Sequence, residues 1–175
     1  MKYGICICGL NGSGKTTLAR ALADALHYRH MDVEDYYFPD AEQPYANARP
    51  QEEAARLLAA DVRKNPRFVF STVNGRAWEA MLQACSLVIY LEAPVTLRME
   101  RIRRRAEERF GERVKPGGDL YEQEEAFFAF AEGRRTEPIE AWLQTLACPI
   151  LRLDGRLPIA ENLQRILSDL QSQSK

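Results

Sequence analysis

The sequence predicts an α/β protein built around a parallel sheet. Three observations carry that reading. Short apolar runs alternate with longer amphipathic segments, the apolar runs are short enough to cross a buried sheet, and a glycine-rich turn joins the first run to the first helix. With 175 residues, the chain suits one well-buried core, so a single domain over 1–175 is expected.

Taken in order, strands are expected at 3–8, 28–33, 68–73, 87–91 and 150–153. The first helix is expected over 15–26, where Leu18, Leu22 and Leu26 form one apolar stripe. The next spans 51–64 and starts just after Pro50, as a proline-led first turn does. Further helices are expected over 76–84, 95–110, 121–135, 138–146 and 158–170, the last with Ile159, Leu163, Ile166 and Leu170 on one face. Two stretches, 34–50 and 111–120, lack periodicity and carry turn residues, which marks them as functional loops. The aromatic run 126–130 reads as helix packing.

Composition narrows the function. Basic and acidic residues balance at 24 against 25, and the pI is near 6.2. No global field therefore draws the chain to nucleic acid or an anionic membrane, and any anion site must be local. No apolar run approaches the roughly 18 residues of a membrane span, and Gly9 arrives too early for a signal-peptide core, so a cytoplasmic location is expected. Cys6, Cys8, Cys85 and Cys148 lack zinc-site spacing and read as buried thiols, with Cys6 and Cys8 on one strand face.

Residues 9–17, GLNGSGKTT, satisfy G-x-x-x-x-G-K-[ST] in the required context, a strand before and a helix after. The glycines Gly9, Gly12 and Gly14 let the backbone pass close to a ligand. Amides around Asn11, Ser13 and the following helix start can then converge on phosphate oxygens. Lys15 adds a full charge at the β and γ phosphates, Thr16 can ligate Mg²⁺, and Thr17 can donate to the α phosphate. ATP and Mg²⁺ are the expected cofactors.

With that motif, the arginine-rich segment after the fourth strand and the closing LRLDGRLPI, the sequence resembles the small P-loop kinases of the adenylate, shikimate and gluconate kinase group. The resemblance implies a three-layer α/β/α fold with a five-stranded parallel sheet, an acceptor-binding region at about 34–64 and a lid at about 109–121. It implies transfer of the γ-phosphoryl group of Mg-ATP to a small polar metabolite, such as a nucleotide, a nucleoside or a shikimate- or gluconate-like acceptor. The protein would be a monomer or homodimer with no nucleic-acid or membrane partner. The alternative is a nucleotide-dependent regulatory ATPase or switch.

The second strand ends in HMDVEDYYF, which puts Asp32, Glu34 and Asp35 at the carboxyl edge of the sheet, where open α/β proteins hold ligands. Asp32-Val33-Glu34 is similar to the acidic pattern of shikimate kinases. That similarity gives Asp32 the hydrated Mg²⁺, and Glu34 or Asp35 the acceptor hydroxyl. Arg49, in ARPQEE, resembles the arginine that grips an acceptor carboxylate, a task suited to its bidentate fork.

The third strand ends in FVFSTVNGR with no acid for the metal, which shifts that burden to Asp32 and leaves Asn74, Gly75 and Arg76 as acceptor contacts. Seven arginines fall within 98–113, and Arg101, Arg105 and Arg109 recur at helical spacing. By resemblance, arginines here neutralise the phosphates as a lid closes. The candidate catalytic set is therefore Lys15, Asp32, Arg105 and Arg109, with Arg113 joining the acceptor contacts. A solvated face balanced by glutamates is the plain alternative for any one of these arginines.

Overall fold

A computed structural model describes residues 2–39 and 47–172. Five strands, β1 (Gly4–Cys8), β2 (Arg29–Asp32), β3 (Phe68–Thr72), β4 (Cys85–Glu92) and β5 (Ile150–Asp154), form one sheet in the order β2-β3-β1-β4-β5. Every pairing is parallel. β1 is central, and the connections run to opposite sides of it. The crevice beyond its carboxyl end is therefore the place where such a sheet holds a ligand.

Among the described residues eight helices flank the strands: α1 (Lys15–Leu26), α2 (Val33–Tyr37), α3 (Gln51–Lys64), α4 (Glu79–Ala84), α5 (Val95–Phe110), α6 (Tyr121–Gly133), α7 (Glu137–Leu143) and α8 (Ile159–Ser172). The period-2 alternation of β1 sorts them into layers. Ile5 and Ile7 pack with Leu18 and Leu22 of α1 and Ile166 of α8. Cys6 and Cys8, on the other face as expected, pack with Leu58 of α3, Met81 of α4 and Trp142 of α7. All four cysteines are free thiols, three buried and Cys148 half-buried. Burial pushes the Cys8 thiol up to about 12, so it stays protonated at neutral pH.

Two of the boundaries that depart from the sequence reading have a clear local reason. The expected loop at 34–50 begins with α2, because the Asp32 carboxylate accepts the Glu34 amide at 3.0 Å and caps a helical turn. Residues 40–46 of that stretch lie outside the described residues. The helix expected from 76 starts only at Glu79. The Asn74 side chain accepts the Arg76 amide at 3.2 Å, and the Trp78 amide reaches back to Gly75 at 2.9 Å, so the chain turns before it coils. In the 111–120 stretch, residues Gly111–Val114 form a 3-10 turn. Arg113 grips Asp119 at 2.7 Å, and Lys115 pairs with Glu112. A small cluster of Met99, Ile102, Ala106 and Phe128 joins α5 to α6 beneath that turn.

Leu22 is wholly buried between α1 and the sheet. Leu22→Ala is expected to cost about 2–5 kcal/mol, read as a lower urea midpoint with an unchanged m-value. A loss below about 1 kcal/mol would mean that this layer is not tightly packed.

Candidate active site

The turn from β1 to α1 keeps its shape by close approach. Gly12 has φ 80° and Gly14 φ 97°, and a Cβ on Gly12 would lie 2.4 Å from the Arg98 carbonyl oxygen. Gly9 is equally confined, since a Cβ there would meet the Leu91 carbonyl at 2.5 Å. The Ser13 amide donates to the Leu10 carbonyl at 3.1 Å. α1 begins at Gly14 without a side-chain cap, so its first amides are left for a ligand or water. Gly12, Gly14, Lys15, Thr16, Thr17 and Arg105 border a cavity of about 340 Å³. Burial lowers the Lys15 pKa, while Asp32 and Glu34 act to raise it.

Arginines brace the back of this turn. Arg98 donates to the carbonyls of Asn11 at 3.2 Å and Ala131 at 3.3 Å. Arg101 donates to the Ser13 carbonyl at 3.1 Å and to Gly155 at 2.9 Å, tying the glycine-rich turn to the loop after β5. Arg134 reaches the Asn11 side-chain oxygen at 3.1 Å. Arg101 also borders the Lys15 cavity, with its donors engaged by carbonyls.

Asp32, 7% exposed, is the node between the two halves of the crevice. One carboxylate oxygen accepts the Thr16 hydroxyl at 2.9 Å and the Ser71 hydroxyl at 2.7 Å, and the other accepts the Glu34 amide. The parallel register sets Ser71 directly beside Asp32. A hydroxyl on β3 thus supports the acid on β2, at the strand end that lacks an acid of its own. The Thr16–Asp32 pair offers hard oxygen donors of the kind that suit Mg²⁺. Glu34 is exposed on α2, and partial loss of water around its carboxyl, then the charge of Asp32, raises it, with Lys15 and Arg105 opposing.

On the far side of Asp32, Val33, Tyr37, Asn74, Arg76, Trp78 and Arg134 line a cavity of about 420 Å³. Asp35 is exposed on α2. Arg49 turns its guanidinium to the Tyr36 carbonyl at 3.1 Å and lies 3.5 Å from Glu53. It steadies the end of α2 and does not line this cavity. Arg109 lies one turn beyond Arg105, over the Phe110 ring and beside Glu124, in a small cavity that Arg105 also lines. Arg113 is exposed and held by Asp119. The crevice therefore gathers Lys15, Thr16, Asp32, Arg76 and Arg105, and it leaves Arg49, Arg109 and Arg113 with partners elsewhere.

Residues 5–126 match the family described as AAA domain. The chain belongs to this family. The AAA domain chain is 31% identical over 180 residues to "Uncharacterized protein YqaC" of Bacillus subtilis (strain 168), a match covering 98% of this chain and 99% of that relative. Over 113 residues, 58% of this chain and 56% of the relative, it is 33% identical to a cytidylate kinase of Pyrococcus furiosus. Among solved structures, a shikimate kinase from Bacteroides thetaiotaomicron superposes with TM-score 0.61 at 21% identity, covering 98% of this chain and 99% of that one. A sugar kinase from Janibacter sp. HTCC2649 superposes with TM-score 0.58 at 17% identity, covering 98% and 95%. The AAA domain here has the fold of the P-loop small-molecule kinases, with five parallel strands between helical layers.

Two crevice residues of this AAA domain escaped sequence reasoning. Ser71 was read only as part of an acid-free strand end. The pairing of β2 with β3, once known, would have singled it out. Arg134 sits at the end of α6, and neither its spacing nor its neighbours announced it.

The lowered pKa of Lys15 means that the folded chain holds this proton less tightly than the unfolded chain. The resulting cost is present at neutral pH and fades as pH rises toward the ordinary lysine value. Lys15→Met is therefore expected to raise the melting temperature of the ligand-free chain at pH 7, with the gain shrinking as pH rises toward the ordinary lysine value. A lower melting temperature would mean that Asp32 and Glu34 more than repay its burial.

Proposed function

We propose that this protein is a small-molecule kinase that moves the γ-phosphoryl group of Mg-ATP to a hydroxyl of an acceptor carrying an anionic group. One observation carries the reading: a buried carboxylate, Asp32, is hydrogen-bonded to the P-loop threonine. It stands between a cavity bordered by Lys15 and Arg105 and another lined by Asn74, Arg76 and Arg134. The match to a cytidylate kinase over part of the chain supports the same reaction class.

On this reading the P-loop turn and the start of α1 hold the triphosphate, and Lys15 sits at its β and γ groups. Thr16 and Asp32 would hold Mg²⁺, which when bound neutralises phosphate charge and orients the chain of phosphates. Arg76 and Arg134 bind the acceptor's anionic group on the far side. The acceptor oxygen forms the new bond to the γ phosphorus as the bond to the β–γ bridging oxygen breaks, and ADP leaves with that electron pair. Glu34 takes the hydroxyl proton, a role that its raised pKa suits. Arg105 stabilises charge on the transferred group.

A coupled ADP-release assay over nucleoside monophosphates, nucleosides, shikimate, gluconate and related polyols tests this reading. One acceptor is expected to accelerate release by at least about 10²-fold over basal hydrolysis. Lys15→Ala should abolish turnover in a folded chain. Arg76→Ala should raise the acceptor KM by about ten-fold or more with the ATP KM unchanged, the cost of one charge-assisted contact. No acceleration by any small molecule, with a macromolecule stimulating instead, would replace the kinase reading with a nucleotide switch.

A further inference from the structure

A third cavity at the carboxyl edge of the sheet is neither of the two used above. It measures about 540 Å³ and opens where β4 and β5 end, between the start of α5 and the start of α7. It shares no lining residue with the Lys15 cavity. The loop after β5 stands between them, pinned where the Gly155 amide donates to the Glu92 carbonyl and the Gly155 carbonyl accepts from Arg101.

Its lining mixes charges, with Glu92 and Asp154 set among Arg98, Arg152, Arg156 and Arg165. Arg98, 3% exposed, contributes to the wall, and its only hydrogen bonds among the described residues go to the carbonyls of Asn11 and Ala131. No carboxylate among the described residues pairs with it. The arginines at the mouth differ: Arg152 is held by Glu140 at 2.6 Å and Arg156 by Asp154 at 2.7 Å. Arg98 Nε has no hydrogen-bond partner among the described residues, and neither has the hydroxyl of Tyr90, a second lining residue that is 1% exposed. Burial pushes the Tyr90 hydroxyl up to about 12, so at neutral pH it is a donor. Leu10, Leu91 and Leu153 supply an apolar floor.

A buried cation held only by carbonyl dipoles keeps most of its desolvation cost, and an entering anion relieves it. We infer that this cavity is a second binding site, for a small molecule whose oxyanion meets Arg98 and Tyr90 and whose apolar body rests on the leucine floor. It goes beyond the proposed reaction and does not depend on it. Because Arg98 also grips the P-loop turn through Asn11, an occupant here would bear directly on the shape of that turn.

The test is an amide chemical-shift titration of the full chain at constant ionic strength, with sodium phosphate in one arm and sodium isobutyrate in the other. Saturable shifts at residues 90–94 and 152–156 are expected in at least one arm, and the arm that responds separates a phosphorylated ligand from a carboxylic acid. Tyr90→Phe should weaken that binding about ten-fold, the worth of one hydrogen bond to a charged group. Arg98→Lys should weaken it at least as much. The inference is overturned if neither probe gives saturable shifts at 90–94, which leaves water as the occupant. Shifts confined to 12–17, or Tyr90→Phe binding like the unmodified chain, would overturn it too.

Discussion

A carboxylate buried at the end of a strand must be given donors, and the way Asp32 obtains them organises the crevice. Thr16 comes from the helix after β1, Ser71 from the neighbouring strand, and the Glu34 amide from the chain just beyond. Each donor belongs to a different element, so the acid fixes the relative placement of α1, β3 and α2 in one stroke. The same contacts leave two hard oxygens, one hydroxyl and one carboxylate, side by side next to the lysine of the P-loop.

The arginines divide by what holds them. Arg98, Arg101 and Arg134 end on carbonyl or amide oxygens around the glycine-rich turn, where they fasten loops together. Arg103, Arg113, Arg152 and Arg156 end on carboxylates at the surface, where water screens the attraction and the pairs add little to stability. Arg105 borders the Lys15 cavity and has no carboxylate partner among the described residues, which leaves its charge available to an incoming polyanion.

Much of this architecture was legible in the sequence because it follows from short-range rules. Leu18, Leu22 and Leu26 wrote the stripe of α1, the Cys6/Cys8 alternation wrote a strand face, and the motif at residues 9–16 placed a tight glycine-rich turn between them. Where a long-range contact decides, the letters alone were insufficient. Asp32 caps α2 inside a stretch that looked irregular, and Ser71 matters only because β2 lies beside β3. Arg49 matched a motif but spends its fork on the carbonyls of α2, and Arg109 shares a helical face with Arg105 yet ends over a phenyl ring. Periodicity tells which way a side chain sets out, and the partner it meets depends on the neighbouring element.

The seating of Gly12 has a consequence for how such a protein can diversify. A left-handed backbone pressed against a neighbouring main-chain oxygen admits no side chain, so this turn has almost no mutational latitude. Arg76 and Asn74 line the opposite cavity from a turn outside the sheet, where new side chains disturb no packed layer. Descendants of one such chain could therefore reshape the far cavity many times over while inheriting an unaltered glycine-rich turn.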